Sequence, residues 1–162
     1  MMMEPRIVSI EEKHLIGMHR RMSMAANETG ALWQSFMPRR HEITSRTNLD
    51  RYSVQLYDNG LNVESFSPTT VFEKWAAVEV TEGANVPEGM ASLIIPAGQY
   101  AVFIHQGLPA AFPKTAQYIY GQWLPRAAYQ LDDRPHFEVL GPDYRPDDPQ
   151  AQEEVWIPII GG

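Results

Sequence analysis

The chain has 162 residues, 44% of them hydrophobic and 20% charged, which suits one domain with its own core and leaves no apolar run near the ~20 residues of a membrane span. It has no cysteine, which excludes disulfides, thiolate metal sites and cysteine nucleophiles and fits a cytoplasmic setting. The net charge of −7 is uneven, with seven Lys/Arg against six Asp/Glu over residues 1–50 but two against eight over residues 129–162; without clustered Lys/Arg, direct nucleic-acid binding is not expected.

The opening MMMEPRIVSIEEKHL has no basic stretch followed by an apolar one, so no secretory signal is expected. Arg6 to Ile10 alternates and opens a strand running toward His19. In ETGALWQSFMPRR, Leu32, Trp33, Phe36 and Met37 form one helical stripe. Asn27 is a candidate cap, and Pro38 should end or kink the helix at about Met37. RYSVQLY alternates Tyr52, Val54 and Leu56 with Ser53, Gln55 and Tyr57, a half-buried strand closed by the turn Asp58-Asn59-Gly60. VFEKWAAVEV is a second strand, with Phe72, Lys74, Ala76, Val78 and Val80 on one face and Glu73, Trp75, Ala77 and Glu79 on the other.

TEGANVPEGMAS reads as a Gly/Pro-rich linker, and GQYAVFIHQG as a central strand, apolar on both faces. Pro113 starts a second helix whose stripe is Phe112, Ala116, Ile119, Tyr120 and Trp123, and Pro125 ends it. RPHFEVLG is a strand with Phe137 and Val139 opposite His136, Glu138 and Leu140. GPDYRPDDPQAQ is an exposed loop and EEVWIPII the last strand.

The order strand, helix, strand, strand thus occurs twice. A displacement of 87 places Trp33 on Tyr120, Phe36 on Trp123, Pro38 on Pro125 and Arg39 on Arg126; one of 85 places Ser53 on Glu138; one of 81 places Trp75 on Trp156. Shared hydrophobic pattern alone would not supply Pro-Arg after both helices or a matched tryptophan in both last strands. The chain therefore reads as a single α+β domain over 1–162, built from βαββ repeats at approximately 5–81 and 92–160 with pseudo-twofold symmetry. Its helices lie on one face of antiparallel sheets, and a ligand cleft lies between the halves. The expected helix-covered faces are Tyr52/Val54/Leu56 and Phe137/Val139. The opposite, open faces take Ser53, Gln55, Tyr57, His136, Glu138 and Leu140, with Trp75 and Trp156 also pointing away from the helices.

GQYAVFIHQG, IYGQWLP, RPHFEV and VWIPI, in this order and spacing, resemble the GyrI-like family, also called the AraC-type or bacterial transcription-activator effector-binding domain. The resemblance covers nearly the whole chain, strongest from Gly98 to Ile159 and looser before Tyr52. It implies a duplicated βαββ fold, a cleft for hydrophobic and often cationic drugs or metabolites, and a pocket glutamate in the strand after the second helix, matched here by Glu138. Regulators of the family join this domain to a helix-turn-helix region. With no room for one and no basic helix, the chain reads as a stand-alone member. Other stand-alone members inhibit or protect gyrase, and a subset hydrolyses cyclopropane-containing toxins with a pocket Glu and a Tyr.

The expected function is therefore multidrug-type small-molecule binding, as in the effector domains of transcription regulators, rather than catalysis. Glu138 is the charge partner of an aromatic, cationic ligand, and Trp75, Trp156 and Tyr57 are walls. His136, Tyr118 and Tyr120 complete the candidate set. The alternatives are hydrolysis of a strained electrophile using Glu138 with Tyr118 or Tyr120, and a protein partner such as gyrase or a separate regulator. His14 and His19 do not share a strand face and have no third ligand near them, His105 reads as structural, and GANVPEG lacks the lysine and helix of a phosphate loop. No metal and no cofactor are expected.

Overall fold

The computed structural model describes residues 4–161. Nine strands form one antiparallel sheet: β1 (Arg6–Ile10), β2 (Lys13–Met22), β3 (Arg51–Tyr57), β4 (Phe72–Val80), β5 (Ala91–Ile95), β6 (Gly98–Gln106), β7 (Tyr129–Leu131), β8 (His136–Leu140) and β9 (Gln152–Gly161). The order across it is β1-β6-β9-β8-β3-β4-β2-β5, with β7 attached to β9. That order is a palindrome under the repeat, because β1, β6, β9 and β8 answer to β5, β2, β4 and β3. The α+β class and the duplication expected from the sequence are both present.

The predicted strand running from Arg6 toward His19 is two strands that part company. β1 pairs with β6 of the second half, and β5 pairs with β2 of the first. Each half thus supplies the outermost strand of the other. β5 and β7 were not foreseen: β5 begins inside the predicted linker, and β7 has only three residues.

Helix α1 spans Thr29–Phe36. Asn27 Oδ1 accepts from the Thr29 amide at 2.9 Å, one residue outside the cap position, which Glu28 occupies. The α-helix ends at Phe36, where Pro38 was expected to end or kink it, and the chain tightens into a 3₁₀ turn over Met37–Glu42 with Pro38 near its start. Helix α2 spans Phe112–Tyr118 and widens into a π turn over Ile119–Trp123 before a last turn, Leu124–Arg126, that contains Pro125.

Three apolar clusters hold the fold. Leu32 and Phe36 of α1 pack with Ile16, Met22, Phe72, Ala76, Val78 and Val80. Ile119 and Trp123 pack with Ala101, Phe103, Val155, Ile157 and Ile159. The third cluster contains no helix residue. It joins Tyr52, Val54, Phe137, Trp75, Trp156, Tyr100 and Val102 to side chains of both edge strands, Val8 and Ile10 on β1 and Leu93 and Ile95 on β5. The sheet therefore curls far enough for its helix-free face to bury itself.

This corrects the expected faces. Tyr52, Val54, Phe137 and Val139 lie on the helix-free side, and Ser53, Gln55, Tyr57, His136 and Glu138 lie on the side that carries the helices. Alternation along a strand separates its two faces but does not say which one a helix will cover, and here both are buried.

Candidate functional site

At the centre of the sheet β3 runs antiparallel to β8, with Ser53 opposite Glu138 and Gln55 opposite His136. Ser53 and Glu138 are the residues related by the repeat displacement of 85. They face each other directly, so the pseudo-twofold axis passes between them. On the next strand outward, Ala76 lies opposite Ser53 and Lys74 opposite Gln55. β9 places Val155 opposite Glu138, and Glu153 follows two residues away on the same face. Ser53 and Ala76, in line with Glu138 across the ladder, carry small, buried side chains. The result is a polar strip on the helix side, between the core under α1 and the core under α2.

Glu138 is already engaged. Gln55 Nε2 donates to its Oε1 at 3.0 Å, and Lys74 Nζ lies 3.6 Å from the same oxygen. The two ionic side chains are 9% and 13% exposed. Such a pair survives burial only with added hydrogen bonds, which Gln55 supplies. Glu153 is different, since no cation pairs with it among the described residues. Burial first, and Glu138 second, push its carboxyl up to about 8, against a smaller opposing pull from Lys74.

Aromatic groups border the strip. The Tyr57 ring meets His136 edge-on at 5.1 Å. Tyr120 rides on the π turn, and its hydroxyl lies 3.2 Å from His136 Nδ1. Burial pushes both phenols up, with Glu138 adding to the effect on each, so they stay protonated and able to donate. His136 is buried, and that burial, with Arg134 adding to it, lowers its pKa to about 3. It is a neutral imidazole whose Nε2 has no hydrogen-bond partner. Tyr144, from the loop between β8 and β9, is raised to about 12 by burial and then by Glu153, with a smaller contribution from Glu138.

Of the seven site residues expected from the sequence, the structure gathers Glu138, Tyr57, His136 and Tyr120. It does not bring Trp75 and Trp156 to them, because both project from the helix-free face. Trp75 stacks on His19 at 4.5 Å and Trp156 on Phe137 at 5.2 Å, and each indole N–H donates to the glutamate two residues before it, Glu73 or Glu154. The matched tryptophans are paired core anchors. Tyr118 packs edge-on against Phe103 at 6.4 Å and lines a 310 Å³ cavity with Trp123, Arg126 and Tyr129, away from Glu138. A second cavity, of 260 Å³, has Tyr57 as one wall, with Leu61, Asn62 and Phe66 among the others.

Sequence reasoning missed Lys74, Gln55 and Glu153 as site residues. Lys74 carried a signal, as the one charged residue on the apolar face Phe72/Ala76/Val78/Val80. Glu153 carried none, since an acidic residue at a strand start reads as solvent-exposed. His105 is held between Thr115 Oγ1 at 2.6 Å and the Leu108 carbonyl at 3.2 Å, a structural role.

A duplicated α+β sheet with one charged strip on its symmetry axis is the architecture of an effector-binding domain. The chain belongs to the GyrI-like family: residues 3–160 match the GyrI-like small molecule binding domain. It is 32% identical over 158 residues to the transcriptional regulator BrlR of Pseudomonas aeruginosa, a match covering 97% of this chain and 56% of the regulator, so the chain spans little more than half that protein's length. Among solved structures, SAV2435 bound to tetraphenylphosphonium superposes with a TM-score of 0.74 at 15% identity, covering 98% of this chain and 95% of that one. The EcmrR C-terminal domain gives 0.69 at 16% identity, covering 98% of each. At such identities these two likenesses show the fold.

Proposed function

We propose that the strip between the helices is the binding cleft for a hydrophobic, aromatic cation, with Glu138 as its charge partner and Tyr57, Tyr120 and His136 as its polar and aromatic surround. The observation that carries this is the charge balance of the strip. Two carboxylates, Glu138 and Glu153, face one ammonium, Lys74, on a partly buried floor. A lipophilic cation is the counter-charge that the second carboxyl lacks there, and ring faces stabilise it further. That a structural neighbour is bound to tetraphenylphosphonium supports the same ligand class.

Tyr57 is shared between the strip and the 260 Å³ cavity. A ligand reaching Glu138 from that side displaces the Tyr57 ring. The hydrolytic alternative has less support: Tyr118 lies elsewhere, and the Tyr120 hydroxyl is bonded to His136 rather than aligned on Glu138. The test is calorimetric titration of tetraphenylphosphonium into the wild type and Glu138→Gln. The expected result is an affinity at least ~10-fold lower in the variant, about 1.4 kcal/mol. Equal affinities overturn the assignment of Glu138.

A further inference from the structure

We propose that Glu153 is a second ligand-binding carboxylate of this cleft, and that it receives a cationic ligand by giving up a proton while Lys74 stays on Glu138. The inference rests on the reading of the strip as a cation site and deepens it.

The geometry is a triad with unequal partnering. β4, β8 and β9 bring Lys74, Glu138 and Glu153 onto one face of the sheet. Glu138 has both the ammonium at 3.6 Å and the Gln55 amide at 3.0 Å. Glu153 has neither. The groups that face it from the surrounding elements are Glu138 on β8, Lys74 on β4, Tyr144 on the β8–β9 loop, and His105 opposite it on β6. His105 cannot serve as its partner, because both ring nitrogens are engaged by Thr115 and Leu108. Tyr144 is a neutral phenol. Lys74, the cation that acts on Glu153, is already committed to Glu138, and Arg51 on β3 is held by the Gly141 and Tyr144 carbonyls, so a charged Glu153 would stand as an uncompensated buried carboxylate.

At neutral pH the empty cleft resolves this by holding a proton on Glu153, consistent with a carboxyl raised to about 8. A bound cation supplies the missing charge. Its arrival favours the carboxylate, and the proton leaves to solvent. Charge balances on both sides: one cation enters, one proton departs, and the Lys74–Glu138 pair is unchanged. The cleft then selects monocations, because the exchange provides one new negative charge and no more.

The experiment is calorimetric titration of tetraphenylphosphonium into the full chain between pH 6 and 9, in phosphate and in Tris, whose ionisation enthalpies differ. Wild type should release close to one proton per ligand at pH 7. Its Kd should fall by up to ~10-fold per pH unit below pH 8 and level off above it, since below its pKa each pH unit changes the ionised fraction of the acid tenfold. Glu153→Gln, an isostere of the protonated acid, should release no proton, show a flat pH profile, and bind more weakly than wild type at pH 8.5. No proton release by wild type, a measurement that needs no variant, overturns the proposal, as does undiminished release by Glu153→Gln. Glu138→Gln separates the two readings. If it weakens binding and wild type still releases no proton, only the exchange fails. If neither carboxylate variant changes affinity, the cleft reading itself fails.

Discussion

Replacing Lys74 by Met removes the ammonium while keeping most of the side-chain length, and the structure sets opposite signs for its two effects. Lys74 Nζ lies 3.6 Å from Glu138 Oε1 with both side chains largely buried. At an effective dielectric of ~20, unit charges at that separation attract by about 5 kcal/mol. Desolvation of the two ions offsets part of this, and Glu138 keeps its bond from Gln55. The expected net cost is ~2–4 kcal/mol of unfolding free energy, read from urea denaturation at pH 7. On the ligand side, a cation bound ~6 Å from Lys74 is repelled by it with about 3 kcal/mol at the same dielectric. Removing that repulsion should tighten tetraphenylphosphonium binding by ~10- to 100-fold in calorimetry. A Lys74→Met protein that is folded, less stable and no better at binding the cation would refute the reasoning, because the ligand would then not sense the charge of Lys74.

The pH dependence of stability carries two opposed terms. His136 is held neutral, with a folded pKa of about 3 against ~6.5 unfolded, so the unfolded chain binds more protons in that window and stability falls as pH drops through it, by up to ~1.4 kcal/mol per unit. Glu153, at about 8 when folded, does the reverse: its term is present below the ordinary carboxylate range and is lost as pH rises toward 8. Urea midpoints should therefore peak between roughly pH 4.5 and 6.5, with Glu153→Gln flattening the alkaline limb and His136→Gln the acid limb. Trp156→Ala should cost ~3–5 kcal/mol, as a buried ring stacked on Phe137 is lost, yet leave cation affinity of the folded protein unchanged because the ring is on the far face. Gly17→Ala places a Cβ 2.0 Å from the Ala76 carbonyl oxygen in the neighbouring strand; the cost should reach ~3 kcal/mol or more in thermal unfolding, or prevent folding.

The repeat was legible because it is written in residues that packing alone does not demand. Pro-Arg follows both helices, and Trp75 matches Trp156. The same evidence misled about the site. A tryptophan repeated at equivalent positions marked the shared scaffold, whereas the ligand strip lies where the halves differ, with Lys74 answering to Val155 and Glu138 to Ser53. The sense of the faces was not legible, since β3 and β8 are covered on both sides and their alternation has no solvent face to orient it. Proline was legible as punctuation, since α1 ends at Phe36 just before Pro38 and the second helical segment ends at Arg126, one residue past Pro125. Partners distant in sequence, such as Gln55 with Glu138, required the register itself.

The crossed edge strands bear on how the chain can be divided. β1 is attached to the first repeat but hydrogen-bonds only within the second, and β5 does the converse. A cut in the segment between β4 and β5 would separate two sequence repeats without separating two structural ones. Each fragment would carry a strand belonging to its sibling and lack one of its own. The two fragments should therefore be poorly folded apart and complement each other when mixed, behaving as an obligate heterodimer formed from a single chain.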